Sequence, residues 1–258
     1  MPAPREALSV VVITCNAASQ LEACLRSAAF AEELLVVDSG SSDDTVALAE
    51  RCGARVIAHP WQGFGPQKQF AVTAARHDWV LCLDADERLT PELQASIEAA
   101  LAAPKHRAYA FARSNRFLGR YLRHGEGYPD WSLRLFDRRM ARWSDDPVHE
   151  KVLTAAIVGT LAGDLLHDSA ESIDSYLAKQ NRYTTLAAEA AVAANLNGPP
   201  IPASRLLLSP LVRFIKFYFL RRGFLDGAPG LAHILIGCFN SFAKYAKILD
   251  LQKKRSNS

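Results

Sequence analysis

Trp79-Val80-Leu81-Cys82-Leu83-Asp84-Ala85-Asp86-Glu87 sets an apolar, strand-favouring run against an abrupt cluster of three carboxylates. Alternate residues of a strand point to the same face, so Asp84 and Asp86 are expected to project together where the strand ends. In an open α/β sheet that end is where ligands bind. Two hard oxygen ligands side by side suit magnesium or manganese, which in turn suit a phosphate-bearing molecule. A solvated acidic turn capping the next helix would carry the same residues, because Thr90 and Pro91 read as a helix start. A D-x-D alone is common by chance, and its surroundings must decide.

The chain of 258 residues is long enough for one large α/β domain, or one domain with an appendage. A hydrophobic fraction of 49% and a charged fraction of 22% are ordinary for a folded soluble protein. The net charge of +3 gives no support to nucleic acid as a partner. Its distribution is uneven: from Arg205 onward the chain carries ten basic residues, among them Lys216, Arg221, Arg222, Lys244 and Lys247, against only Asp226 and Asp250. That asymmetry points to an anionic surface. The five cysteines are scattered and form no C-x-x-C pair, which fits a reducing compartment. The first residues do not resemble a signal peptide, and no window offers the roughly 18 uninterrupted apolar residues of a spanning helix. A cytoplasmic location is expected.

Leu8 to Ile13 is a continuous run typical of a strand buried on both faces. A helix over Ala17 to Ala29, a strand over Leu34 to Val37, a helix over Val46 to Cys52 and a strand over Arg55 to Ala58 follow. Ser39-Gly40-Ser41-Ser42-Asp43-Asp44-Thr45 reads as a turn with several helix caps. His59 to Pro66 reads as a loop, Gln67 to Arg76 and Pro91 to Ala102 as helices. Strand and helix alternating at this spacing predict a doubly wound, mostly parallel α/β sheet. Beyond it, strands are expected over Ala108 to Ser114, Trp131 to Phe136 and Val158 to Leu166, with a polar loop over Leu118 to Asp130. Asp168 is expected to cap an Ala-rich helix from Glu171 to Asn195, with Glu171 completing a capping box and Asn197-Gly198-Pro199-Pro200 ending it.

Three stretches then make a pattern: Val11-Val12-Ile13-Thr14-Cys15-Asn16, Leu35-Val36-Val37-Asp38-Ser39-Gly40-Ser41-Ser42-Asp43-Asp44-Thr45 and Leu83-Asp84-Ala85-Asp86-Glu87. In this order and spacing they resemble the family 2 inverting glycosyltransferases of GT-A fold. Gly63-Phe64-Gly65-Pro66-Gln67-Lys68, Arg134-Leu135-Phe136, Val148-His149-Glu150, Leu166-His167 and Arg222-Gly223-Phe224 are similar, within that family, to the bacterial lipopolysaccharide core enzymes that add β-linked glucose to inner-core heptose.

The resemblance implies roles. Thr14 and Asn16 would sit near the base and ribose of a UDP-sugar, and Asp38 would contact the uridine. Ser39 stands where the family often has a second aspartate. Asp84 would lie near the ribose or the metal, while Asp86 would bind a divalent cation, Mg or Mn, that bridges the two phosphates. Lys68 would reach phosphate or sugar hydroxyls, although a solvated lysine is an equal reading. Arg134 would clamp a phosphate, with a salt bridge to a sheet-edge acid as its competitor. Glu150 is the first choice for the general base that inversion requires, with Asp146 and Asp145 as alternatives and a plain ion pair as the structural reading. His167 would complete the metal shell or serve only structure. His149 would orient Glu150 or contact the acceptor, and no H-E-x-x-H accompanies it to suggest zinc.

The implied division is a GT-A catalytic domain over 1–168, a long helix packing on it over 169–198, and a basic amphipathic segment over 199–258. Within that segment Leu206 to Leu220 is apolar but interrupted by Arg213 and Lys216, which share one side of a helix. Leu231 to Phe242, followed by Lys244 and Lys247, repeats the design. Such helices lie in a membrane interface; packing on the catalytic domain or between copies in a homo-oligomer is the competing reading. The implied acceptor is a lipopolysaccharide core, with a polyprenyl phosphate or a capsule or exopolysaccharide chain as alternatives. A nucleotide-sugar-binding protein without turnover is the reading from another class.

Overall fold

Every residue of β1 (Leu8–Thr14) is buried, because helices cover both faces of the sheet it centres. The computed structural model to which it belongs describes residues 5–146, 150–169, 172–195 and 199–256. Val148, His149, Glu171 and the Asn197-Gly198 helix stop therefore lie outside the described residues. On one side β1 pairs in parallel with β2 (Glu33–Asp38), which pairs with β3 (Arg55–Ala58); on the other it pairs in parallel with β4 (Trp79–Asp84). Val10 and Val12 pack with Leu21 and Leu25 of α1 (Ala18–Ser27) and Leu93 and Ile97 of α4 (Pro91–Ala102). Val11 and Ile13, pointing the other way, pack with Ala71 and Val72 of α3 (Phe64–Ala74). The remaining helix of this half, α2 (Thr45–Arg51), precedes β3.

The parallel half is as expected, and the second half turns the sheet into a mixed one. β8 (Asp130–Asp137) runs antiparallel beside β4, and β6 (Ala108–Phe117) antiparallel beside β8. With β5 (Glu87–Leu89) pairing antiparallel to β11 (Val158–His167), the order is β3-β2-β1-β4-β8-β6-β11-β5. A separate ribbon pairs β9 (Ala141–Trp143) with β10 (Val152–Thr154). The sequence reading missed β5, β9 and β10, whose three residues each are too short for a periodic signal. It also started α3 three residues late. Pro66 lies in the first helical turn, where a missing N–H costs nothing, and Gly63 at φ +105° makes the entry.

The chain divides into two compact units, one holding the residues up to Ser114 with Asp130–Asp168, the other Asn115–Pro129 with the residues from Ser169 onward. In the second unit β7 (Arg120–Tyr121) folds back on the end of β6. It is followed by α5 (Ile173–Ala194), α6 (Arg205–Phe214), a π-helical stretch Ile215–Leu220, a 3-10 turn Gly223–Asp226 and α7 (Gly227–Ser256). The cap of α5 is Ser172, whose Oγ accepts from the Ser175 N–H at 3.1 Å, rather than Asp168. Ala188 and Val192 of α5 bury against Ile248 of α7. Buried Asp226 accepts the N–H groups of Arg123 and His124 at 2.9 and 2.8 Å, tying down the loop after β7. The expected helix from Leu206 to Leu220 is two stretches. It widens at Ile215, where the Arg221 N–H reaches back five residues to the Lys216 carbonyl at 2.8 Å. Arg213 and Lys216 consequently differ: Arg213 Nε donates to Glu126 Oε2 at 3.0 Å, while Lys216 is exposed. Among the described residues, no helix is long and apolar enough to cross a membrane.

Burial separates the cysteines chemically. Burial, followed by the nearby Glu87, Asp84 and Asp86 charges, holds the Cys24 thiol well above its ordinary range. Burial pushes Cys82 up to about 11 against the Trp143 hydrogen bond, whereas Cys15 is exposed. Iodoacetamide at neutral pH is therefore expected to modify Cys15 in the folded protein and to reach Cys24 and Cys82 only after denaturation, as read by peptide mass spectrometry.

Candidate active site

Three neighbouring parallel strands end level with one another. The register sets Thr14 beside Asp38 and Ile13 beside Asp84, so Thr14, Asp38 and Asp84 gather at one edge of the sheet. Asp38 is buried, and its Oδ2 accepts from the N–H groups of Gly40 and Ser41, both at 2.9 Å. That Asx-type turn folds the residues after β2 back toward β1. Asn16, at φ +51°, meets them: its N–H donates to Ser41 Oγ at 2.8 Å, and its Oδ1 accepts from the Ser42 N–H at 2.8 Å. Ser39 Oγ accepts from Gln67 Nε2 at 3.0 Å. Thr14 Oγ1 is buried and has no partner among the described residues.

Charge concentrates at Asp84. Lys68 Nζ, buried, lies 3.0 Å from Asp84 Oδ1 and 3.0 Å from Glu150 Oε1. Arg134 Nη2, from the adjacent β8, lies 3.0 Å from Asp84 Oδ2 and 3.0 Å from Glu87 Oε1. Glu87 is fully buried and its Oε2 accepts from the Asp84 N–H at 2.9 Å. Arg113 extends the network, 3.3 Å from Glu87 and 2.7 Å from Asp130. The Trp143 indole underlies both central cations, 4.8 Å from Lys68 Nζ and 5.5 Å from Arg134 Cζ, where its π face attracts them. Trp143 Nε1 in turn donates to Cys82 Sγ at 3.3 Å. The first turn of α3 packs directly on the backbone here, since a Cβ on Gly65 would lie 2.2 Å from the Ser144 carbonyl oxygen.

Burial pushes the Asp84 carboxyl up, but Arg134 and Lys68 outweigh it and hold the group well below its ordinary 3.8. Burial likewise opposes the Arg134 charge, and Glu87 and Asp84 outweigh that, keeping the guanidinium firmly protonated.

After Asp84 the chain turns and β5 begins, pairing Glu87 with His167. His167 Nε2 is thereby brought to 3.2 Å from Asp86 Oδ2. The two acids of the D-x-D thus take different partners, Asp84 the cations and Asp86 the imidazole. Among the described residues no group of three or more His, Cys, Asp or Glu side chains could hold a metal. Asp86 and His167 are the residues that would hold a divalent cation, through a carboxylate oxygen and an imidazole nitrogen. Of the acids considered for the base, Asp145 and Asp146 are exposed, with Asp145 3.7 Å from Arg142. Glu150 is half-buried against Lys68. Sequence reasoning gave no role to Trp143, Arg113, Gln67 or Glu87. Glu87, inside the acidic cluster, and Gln67, inside the Gly63–Lys68 stretch, carried a signal.

Removing Arg134 would leave Asp84 and Glu87 facing each other without their shared cation. Arg134→Met is expected to cost about 3–5 kcal/mol in urea denaturation near neutral pH. The pH dependence gives the sign. In the parent chain Asp84 is depressed, so its contribution is full above its ordinary value and lost only as pH falls through the lower folded value. In the variant Asp84 keeps only Lys68 as a cation partner, so less stabilisation is left to lose and the deficit should shrink on acidification.

The sequence matches the family described as glycosyl transferase family 2 over residues 9–158. An uncharacterised glycosyltransferase of Rickettsia bellii (strain RML369-C) is 32% identical over 95% of this chain and 86% of its own length. The lipopolysaccharide core biosynthesis glycosyltransferase LpsC of Rhizobium meliloti (strain 1021) is 30% identical over 95% of this chain and 93% of its own. Among solved structures, glucosyl-3-phosphoglycerate synthase from Mycobacterium tuberculosis, in complex with Mn2+, UDP and glucosyl-3-phosphoglycerate, is 26% identical over 43% of this chain and 44% of that one, with a TM-score of 0.37. With its match over more than half its length and its full-length relatives, the chain belongs to glycosyl transferase family 2, and its mixed sheet with flanking helices is the GT-A fold of that family.

Proposed function

We propose that this glycosyltransferase moves a hexose, glucose from UDP-glucose, onto a lipopolysaccharide inner-core acceptor with inversion, working at the inner face of the cytoplasmic membrane. The observation that carries the catalytic part is the placement of Glu150, held by Lys68 beside Asp84, at the same strand ends that set Asp86 against His167. The similarity to LpsC over nearly the whole chain supports the acceptor class.

In this reading Thr14, Asn16, Asp38 and Ser39 receive the nucleoside at the ends of β1 and β2. Thr14 Oγ1, buried and without a partner among the described residues, offers a hydrogen bond there. Asp86 and His167 would hold the divalent cation, Mg or Mn, which supplies Lewis-acid stabilisation of the departing diphosphate. Lys68 fixes Glu150 through Oε1 and leaves Oε2 to take the proton from the acceptor hydroxyl. As that proton leaves, the acceptor oxygen forms its bond to the anomeric carbon from the face opposite the phosphate. The bond from that carbon to the diphosphate oxygen breaks, and UDP departs with the electron pair. Asp84 and Arg134, locked in their ion pairs, keep the donor side rigid.

Asp86→Ala is expected to abolish transfer together with metal-dependent UDP binding. Glu150→Gln should retain UDP binding by calorimetry yet lose transfer, about 10²–10⁴-fold in rate; near-normal turnover would remove Glu150 as the base. UDP with Mn2+ should slow the alkylation of Cys15, which lies between Thr14 and Asn16. The mass and linkage of the product formed from UDP-sugars and truncated core lipid test donor and acceptor.

A further inference from the structure

The second unit leaves an unusually apolar face uncovered. In α6 and the π-helical stretch after it, Leu207, Leu211, Ile215 and Phe219 follow an i, i+4 spacing, with Leu208 and Val212 beside them. Leu207 is 76% exposed, Val212 62% and Leu220 75%, values at which a solvated helix ordinarily carries polar residues. The opposite side of α6 faces the unit's interior. Ser209 Oγ meets Ser241 Oγ at 2.7 Å, the Pro210 carbonyl accepts from Cys238 Sγ at 3.4 Å, and Arg213 pairs with Glu126. The packing therefore selects which residues turn inward, and the apolar row is what remains outside.

Charge identifies the occupant. Arg205, Lys216, Arg221 and Arg222 are exposed along this segment, and no acidic residue occurs between Arg205 and Leu225. A second copy docking by a two-fold axis would set these like charges against one another. An anionic lipid surface satisfies both features at once, taking the aliphatic row into its acyl boundary and the cations at its headgroups. Among the described residues no helix can cross a bilayer, and Pro210 and the π turn interrupt this one, so the segment fits lying in the plane.

The geometry points to the face of α6 and Ile215–Leu220 as an in-plane docking surface for anionic phospholipid. This inference deepens the proposed function and rests on it for the lipid-linked acceptor. Its test does not require transfer. The full chain is mixed with vesicles of phosphatidylcholine and phosphatidylglycerol in equal parts, or of phosphatidylcholine alone, and floated on a density gradient. The parent chain should float with the anionic vesicles and lose that binding at high salt. Leu207→Gln with Leu211→Gln should lower partitioning by at least about tenfold, and Arg205→Gln with Lys216→Gln by about fivefold per charge. Circular dichroism and thermal melting should be unchanged, because all four side chains are exposed. Failure of the parent chain to float, or unchanged binding by the apolar pair of substitutions, would overturn the assignment. So would a concentration-dependent dimer that the apolar substitutions dissociate, which would give the face to a second copy. UDP release measured on the same preparations keeps the two claims apart: intact release without flotation removes only the docking surface, and flotation without release removes only the reaction.

Discussion

Two carboxylates placed at a buried strand end must be neutralised where little water reaches them, and most of the first unit's second half answers that requirement. Asp84 and Glu87 are joined by Arg134, which β8 can deliver only by lying directly beside β4. Lys68 supplies the other cation, delivered by α3 from the opposite side of the chain order. The Trp143 ring beneath both offers a π face where a polar floor would have competed for their protons. A mixed sheet is thus what the electrostatics of this edge call for. A purely parallel continuation would have needed a crossover helix before the next strand, and could not have brought Arg134 in so directly.

Depth in charge also separates duties within the acidic cluster. Asp84 is saturated by cations, while Asp86, two residues later and past the turn, meets an imidazole. One acid is held in a network of cations and the other faces a single histidine. Neighbouring carboxylates acquire distinct roles in this way when their surroundings differ, even though their chemistry is the same.

Much of this was legible in the sequence. The β-branched run of β1, the break at Asp38 and the acidic end of β4 follow from burial and periodicity, and the structure brings these strand ends together at one edge of the sheet. Strand partners further along were not legible, because β5, β9 and β10 are three residues each and Pro66 disguised the start of α3. Arg134 could be read as a phosphate clamp or an internal ion pair, and only the register of β8 against β4 shows what it touches. Trp143 gave no local sign, since its importance comes from long-range contacts with Lys68, Arg134 and Cys82. In the second unit, composition revealed the basic and apolar character, but helical spacing alone put Arg213 and Lys216 together. The pairing of Arg213 with Glu126, in a loop 87 residues earlier, separates them.

Gly65 sets a limit on how this edge can be altered. With a carbonyl oxygen only 2.2 Å from where a methyl group would be, even alanine would lever the start of α3 away from Ser144. The ammonium one turn along would then lose its seat over the indole. Substitutions in the segment from Trp61 to Gln67 therefore have freedom at its outward positions, where Trp61 and Phe64 are exposed. At Gly65 they have none, because the closest contact there is with the Ser144 backbone, which cannot rotate away.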